Sequence, residues 1–353
     1  MQIKSLFLFL LSFAGFSLCS TNDSKAQVDY RVACIGFYNL ENLFDTLDTP
    51  DKDDAEFLPN GSNKYNSYVY IDKLKNLSRV ISELGTEMTP DGVAILGVAE
   101  IENRAVLEDL VVQAPLKNRN YKIVHEEGWD SRGVDVGLLY NPKYFRELKH
   151  DVIHVDLKSD EGNTYYSRDI LWVTGILGGT DTLHVFVNHW PSRRGGTSSI
   201  PKRNYAASLC KKVVDSLTAV NPNVKIFITG DLNDDPVSPS VKDVLNARGK
   251  EKDVKPGGLF NPMWTKYKSG DGTLTYNDAW NLFDQTIISS GFLNKEQDGY
   301  FFHKAEVYKR AYLLNREGRF KGSPFRCYSF GTYIGGFSDH LPVYSYFLQK
   351  IKK

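Results

Sequence analysis

Seven short runs rich in Val, Ile and aromatic residues constrain this chain more than any other feature: Val32 to Tyr38, Val93 to Val98, Val134 to Tyr140, Leu171 to Leu177, Leu183 to Val187, Val224 to Thr229 and Val343 to Leu348. Runs of that length and composition predict β-strands that bury at least one face. Helical spacing appears only between them. Ile71, Leu74, Leu77, Ile81 and Leu84 repeat at helical period and stop at Gly85, and Ala206, Leu209, Cys210, Val213 and Leu217 mark a second amphipathic helix. Ser238-Pro239 reads as the cap and first residue of a third, short helix. Many strands with fewer, interleaved helices predict sheets covered by helices, not a strictly alternating barrel. No repeat, low-complexity tract or Pro/Ser-rich linker divides the chain, so residues 28–353 read as one domain. Asp45 to Asn66, Ser192 to Asn204 and Gly249 to Asp278 are polar and Gly-rich and read as long loops, either lids and substrate contacts or surface insertions.

The ends of the runs carry the chemistry. Asn39 and Glu41 end the first, Glu100 follows Val93 to Ala99, His189 follows Leu183 to Asn188, and Asp231 and Asn233 follow Ile226 to Gly230. Asp339-His340 stands just before Leu341-Pro342-Val343, while Asp284 opens the run Thr286-Ile287-Ile288. Residues two apart on a strand face the same side, so Asn39 with Glu41, and Asp231 with Asn233, would project as pairs if the extended backbone continued. A lone Asp or Asn after a strand is a turn or cap residue. Six such endings point instead to one rim that gathers them.

Composition narrows the classes of function. The 353 residues are 41% hydrophobic and 24% charged, which is ordinary for a globular protein and excludes disorder, collagen and coiled coil. With 43 acidic and 43 basic side chains the molecule lacks a broad basic field, so an anionic ligand has to be held by local charges or by a metal. Lys4, the apolar stretch Leu6 to Leu18 and Ser24-Lys25-Ala26 read as an export signal over residues 1–26, placing the protein in the periplasm or outside the cell. Cys19 is an alternative, lipid-anchoring end to that signal. No later segment offers a membrane span. Cys34 and Cys210 sit in apolar patterns and read as core residues, and nothing calls for an obligate protein partner.

The strings Phe37-Tyr38-Asn39-Leu40-Glu41-Asn42, Gly97-Val98-Ala99-Glu100, Val187-Asn188-His189, Gly230-Asp231-Leu232-Asn233-Asp234, Phe283-Asp284-Gln285-Thr286-Ile287 and Phe337-Ser338-Asp339-His340-Leu341-Pro342-Val343 resemble, in this order, the motifs of the endonuclease/exonuclease/phosphatase superfamily. That superfamily includes pancreatic-type deoxyribonuclease, abasic-site endonucleases, neutral sphingomyelinases and inositol-polyphosphate phosphatases. The resemblance implies a four-layer α/β/β/α sandwich of two packed mixed sheets flanked by helices, with the site at one end of the sheets. It also implies metal-dependent phosphodiester hydrolysis. Gln285 departs from the pattern, since relatives often carry an aromatic or apolar residue there, and Asp278 stands as a substitute for Asp284.

Each motif residue then has an expected task. Glu100 and Glu41, helped by Asn39, offer hard oxygen ligands suited to Mg²⁺ or Mn²⁺, with Asp339 supporting the metal or the adjacent imidazole. His340, oriented by Asp284, takes a proton from water or steadies the phosphoryl group, Asp231 being the competing base. Asn233 and His189 donate hydrogen bonds to charged oxygens of the transition state. Asp135 either orients His189 or lies on the surface. Arg168, Arg193, Arg194, Lys202 and Arg203 either hold substrate phosphates or form a solvated charge run. Glu102 competes with Glu100, and the motif favours Glu100. The leading substrate class is DNA or RNA; the alternatives are a phospholipid or an inositol phosphate, and a non-catalytic binding protein on the same scaffold. A membrane-acting enzyme would show an exposed hydrophobic hairpin, and the sequence displays no clear one.

Overall fold

A computed structural model describes residues 29–351 apart from 160, 161 and 277; the export signal and Cys19 lie outside the described residues. In chain order the main strands are β1 (Tyr30–Leu43), β2 (Ile95–Ile101), β3 (Lys122–His125), β4 (Asp135–Tyr140), β5 (Phe145–Ile153), β6 (Ile170–Leu177), β7 (Asp181–His189), β8 (Lys225–Asp231), β9 (Ala247–Arg248), β10 (Leu259–Phe260), β11 (Asp284–Ser289), β12 (Phe301–Val307) and β13 (Val343–Lys350). The α-helices are α1 (Ser67–Glu83), α2 (Arg104–Val111), α3 (Ile200–Val220) and α4 (Met263–Lys268). Two sheets result, one ordered β12-β13-β1-β2-β4-β3 and the other β9-β10-β11-β8-β7-β6-β5.

Period-two patterning explains why the sheets stack. Ala33, Ile35 and Phe37 of β1 point into the core between the sheets, where they meet Val185, Val187, Phe227 and Phe347. The alternate residues Cys34 and Tyr38 face the other way, onto Leu74, Leu77 and Ile81 of α1 and Leu107 and Leu110 of α2. On the far side, Phe186, Ile226 and Ile228 pack against Ala206, Ala207, Cys210 and Val214 of α3. The result is the expected sandwich of helices, sheet, sheet and helix.

The same topology makes the site. In each sheet one neighbouring pair of central strands is parallel, β1 with β2 and β7 with β8, and all other contacts of these four strands are antiparallel. A parallel pair needs a crossover, and α1 and α3 supply it. Asn39, Glu100, His189 and Asp231 stand at or near the carboxyl ends of these strands.

The helices differ in detail from the sequence expectation. α1 is capped by the Asn66 side chain, which accepts from the backbone N–H of Tyr68 and Val69. It ends at the predicted place, but Ile71 is 61% exposed and the buried face runs through Val69, Lys73, Leu74, Leu77, Val80 and Ile81. The third helix is a single wide turn, Ser240–Val244. The stretch 192–204 is only half loop, because α3 begins at Ile200. The stretch 249–278 contains β10, α4 and the strand Leu274–Tyr276 of a small hairpin. Among the described residues no helix is long and apolar enough to cross a membrane, and Cys34, Cys210 and Cys327 are buried free thiols.

Candidate active site

Three adjacent strands of the second sheet set a row of functional groups by register alone. Asp231 of β8 is aligned with His189 of β7 on one side and with Asp284 of β11 on the other. The first sheet closes over this row, with Asn39 Nδ2 donating to Asp231 Oδ2 at 3.3 Å and His340, just before β13, placing Nδ1 2.7 Å from Asp284 Oδ2. Ser338 fixes that segment: its Oγ donates to the carbonyl of Asn39 at 2.8 Å and accepts from the backbone N–H of His340 at 3.1 Å.

The expected projection of Asn39 with Glu41, and of Asp231 with Asn233, fails for a backbone reason. Glu41 and Asn233 both have φ of 49°, in the left-handed region, as do Asn42 at 54° and Glu100 at 58°. The extended backbone is therefore broken at every one of these motifs. Asn39 Oδ1 accepts the N–H of Glu41 and Asp231 Oδ1 accepts that of Asn233, each at 2.9 Å, so N-x-E and D-x-N are the same local turn in two different sheets. Each left-handed residue costs ~1–3 kcal/mol, strain of a kind that clusters at functional sites. Gly230 belongs to this construction: φ is 147°, and a Cβ there would lie 2.0 Å from the carbonyl oxygen of Asn188.

Burial and charge set the protonation states. His340 is buried, which alone would favour the neutral ring, but the carboxylates of Asp284 and Asp231 outweigh this and hold its pKa well above the usual imidazole value. Its Nε2 lies 3.8 Å from Asp231 Oδ2, and His189 Nε2 approaches the same oxygen at 3.6 Å. Burial raises the Asp231 carboxyl and the nearby Asp284 adds to this, while the imidazole of His340 pulls against both. Burial, assisted by Arg168, Arg132 and His340, pushes His189 the opposite way from His340, so it is neutral. Its Nδ1 is buried with no hydrogen-bond partner among the described residues. The two imidazoles thus differ, one cationic and one neutral.

The donor set suits a hard divalent cation at Glu100 and Asp231. Glu100 Oε2 accepts the N–H of Asn42 at 3.0 Å, and Oε1 lies 3.8 Å from His189 Nε2. Ligand atoms of Glu100, His189 and Asp231 all fall within 4.8 Å of one another. Glu41 is not brought into this group. Its Oε2 accepts the N–H of Cys327 at 2.7 Å and its Oε1 faces Arg326 Nε at 3.3 Å, while the buried Lys73 ammonium donates to its backbone carbonyl. Asp339 shares Arg326 with it, at 3.2 Å. Burial, with Asp339 nearby, raises the Glu41 carboxyl to about 7. Sequence reasoning missed Arg326 and Lys73, which lie in no motif.

Several other expectations are redirected. Asp135 does not reach His189; its carboxylate is taken by His125 Nε2 at 3.2 Å and the N–H of Gly128 at 3.0 Å, because it opens β4 beside β3. Glu102 is occupied with the N–H of Asp45 and the hydroxyl of Thr49. Asp278 is exposed, and Asp284 holds His340. Gln285, the departure from pattern, is buried and bonds the carbonyl of Asp234 and the amide of Asn261. The basic residues are mostly internal ties. Arg203 is buried against Asp234 at 2.9 Å, and Arg193 bonds the carbonyl of Asn233 and the carboxylates of Asp234 and Asp235. Arg168 is buried and donates to the carbonyl of Trp190, which also accepts from Asn233 Nδ2. Arg194 is exposed, and half-buried Lys202 sits over the ring of Tyr165. Arg132, unnoticed in the sequence, is close enough to act on His189.

Solved structures with this fold include an endonuclease/exonuclease/phosphatase family protein from Bacteroides thetaiotaomicron, 15% identical, covering 92% of this chain and 100% of that chain with a TM-score of 0.55. TDP2 from D. rerio, complexed with single strand DNA product, is 14% identical over 90% of this chain and 98% of that one, with a TM-score of 0.51. A mannosyl-6-phosphatase from Bacteroides thetaiotaomicron is 14% identical over 91% and 100% of the two chains, also with a TM-score of 0.51. At these identities the likeness is one of fold. No curated protein matches the chain by sequence. The sequence pattern of one family, however, spans residues 34–350 and takes in all six strand-end motifs, so this chain belongs to the Endonuclease/Exonuclease/phosphatase family.

Proposed function

We propose that this protein is an exported, Mg²⁺- or Mn²⁺-dependent phosphodiesterase whose substrate is DNA or RNA. The observation that carries the reading is the buried row His189, Asp231, Asp284 and His340, in which one carboxylate oxygen lies within 4 Å of two imidazoles, one of them held by a second carboxylate. Such a row, with a bound ion, can engage the anionic phosphoryl group of a phosphate ester, and a phosphodiester supplies that group.

The residues divide the work. Asp284 holds the Nδ1–H of His340, leaving Nε2 to donate to a phosphoryl oxygen. Asp231, raised by burial, is the group placed to take a proton from the attacking water. Asn39 keeps its carboxylate in place. His189 faces the same carboxylate, the Asn233 amide steadies the turn by donating to the Trp190 carbonyl, and Glu100 with Asp231 would hold the ion. When bound, that ion offsets charge on the phosphoryl group and the leaving oxygen. A single-stranded DNA product in one structure of the same fold supports the nucleic-acid reading, and a sugar phosphatase among the others makes phosphomonoesters the first control.

The test is a panel of single-stranded DNA, plasmid, RNA, sphingomyelin, inositol phosphates and mannose 6-phosphate, each with Mg²⁺, with EDTA, and with Mn²⁺ added back. Cleavage of a nucleic acid that EDTA abolishes and either metal restores is expected. Full activity after exhaustive chelation sinks the metal assignment, and hydrolysis confined to the sugar phosphate or the lipids sinks the nuclease.

A further inference from the structure

Phe330 sits at the tip of a short hairpin, Tyr328–Ser329 paired with Thr332–Tyr333, and is 86% exposed. Its φ is 49° and that of Gly331 is 75°, so both residues of the two-residue turn are left-handed. Such turns ordinarily begin with Asn, Asp or Gly, because a bulky side chain in this region crowds the next carbonyl. A large apolar ring that is both strained in its backbone and left in water contributes little to the core and points to a contact outside it.

Beneath the tip lies a cavity of about 340 Å³, whose walls include Phe330, Phe320, Tyr328 and Ile334 and whose polar side is formed by Arg326 and Asp339. The rings of Phe320 and Phe330 are 6.0 Å apart and inclined by 37°. Asp339 precedes His340 in the chain, and Arg326 ties it to Glu41, so the cavity adjoins the reaction centre. Its volume is at the lower end for small-molecule sites, enough for one ring-bearing unit and not for a length of chain.

We infer that this cavity receives one nucleobase of the substrate, stacked on Phe330, while the phosphate attached to that nucleotide lies at His340. The inference rests on the nuclease reading and makes it specific: recognition is of an unpaired base beside the scissile bond, since a stacked base has to leave its partner. Arg326 and Asp339 offer hydrogen bonds to the base edge, which a purely lipid site would not need. The hairpin also gives a bilayer little to hold, because Ser329, Gly331 and Thr332 flank Phe330, and Phe320 and Ile334 beside it are each only 38% exposed.

The experiment compares a single-stranded oligonucleotide with a base-free sugar–phosphate oligomer of equal length, using the Mg²⁺-loaded full chain, Phe330→Ala, Phe330→Leu and Phe330→Trp. Wild type is expected to prefer the base-bearing oligomer. Phe330→Ala and Phe330→Leu should raise KM on it by about 5- to 150-fold, the span that base–aromatic stacking supports, and erase the preference, while Phe330→Trp keeps it. Cleavage with no preference in wild type, or a preference that survives in Phe330→Ala, overturns the subsite and leaves the nuclease standing. Failure to cut either oligomer overturns the nuclease and the subsite together. Phosphatidylcholine vesicle binding that Phe330→Ala abolishes, with the oligomer preference intact, assigns the hairpin to a membrane and also overturns the subsite.

Discussion

At the scale of single residues, the decisive contact is His340 Nδ1 to Asp284 Oδ2 at 2.7 Å, a strand-end acid and a loop imidazole that lie 56 positions apart. His340→Ala should lower kcat by ~10²- to 10⁴-fold with little change in Mg²⁺ affinity, as removal of an acid–base partner does. Asp284→Asn should cost less, because the ring stays and loses only its anion. Steady-state kinetics beside calorimetric Mg²⁺ titration checks both; a His340→Ala protein that turns over normally contradicts the assignment. The groups legible in the sequence were those in short strings with fixed internal spacing, such as Asp231 with Asn233. Arg326 was not, because it looks like any surface Arg and its partner Glu41 is 285 residues away. The string Asn39-Leu40-Glu41 shows the Glu41 carboxylate as a candidate metal ligand but not the left-handed φ at 41, nor the Cys327 N–H and Arg326 that this carboxylate meets.

At the scale of elements, the strands were legible where both faces are buried and obscure where they are not. Every residue of β8 is buried and its run was evident, whereas β5 alternates irregularly, with most of Arg146 to Ile153 exposed or half-buried at the sheet edge. The eight-residue α2 was too short to show a period. Two substitutions probe how elements are joined. Gly230→Ala puts a Cβ against the Asn188 carbonyl at a φ reserved for glycine, and should cost ~2–5 kcal/mol in urea unfolding through strain and overpacking. Arg203→Ala, in α3, removes a buried partner of Asp234 and should cost about 3 kcal/mol, while Arg194→Ala, in the exposed loop before that helix, should stay within ~0.5 kcal/mol. Equal effects from the two arginines would mean that Asp234 needs no clamp. The sequence leaves these basic residues open between a phosphate grip and a solvated charge run; Arg193 and Arg203 instead tie α3 and its approach to the Asp231 turn, a distinction that charge composition cannot make.

Across the whole molecule, pH acts on stability through groups remote from the site as well as those within it. His184 of β7 is buried, and its Nδ1 accepts from Trp172 Nε1 at 3.2 Å. Burial, with Lys149 nearby, lowers its pKa from the usual 6.5 to about 4. The unfolded chain therefore binds a proton there before the folded chain does, so the stabilisation is complete above pH 6.5 and is lost as pH falls toward 4. Urea midpoints should drop over that window, and His184→Gln should flatten the decline; an unchanged slope in the variant would show that His184 is not its source.

The first sheet also has an order of assembly built into it. β1 lies between β2 and β13, and its register with β13 runs from Tyr30 opposite Lys350 to Phe37 opposite Val343, joining opposite ends of the described chain. During synthesis, β1 emerges early and waits for almost all the remaining residues before that edge is filled. His340, carried into place by the same late strand, arrives after every acidic group it works with. A chain that stops before His340 would lack the imidazole that Asp284 holds, so the row of groups is complete only once this late strand has been added.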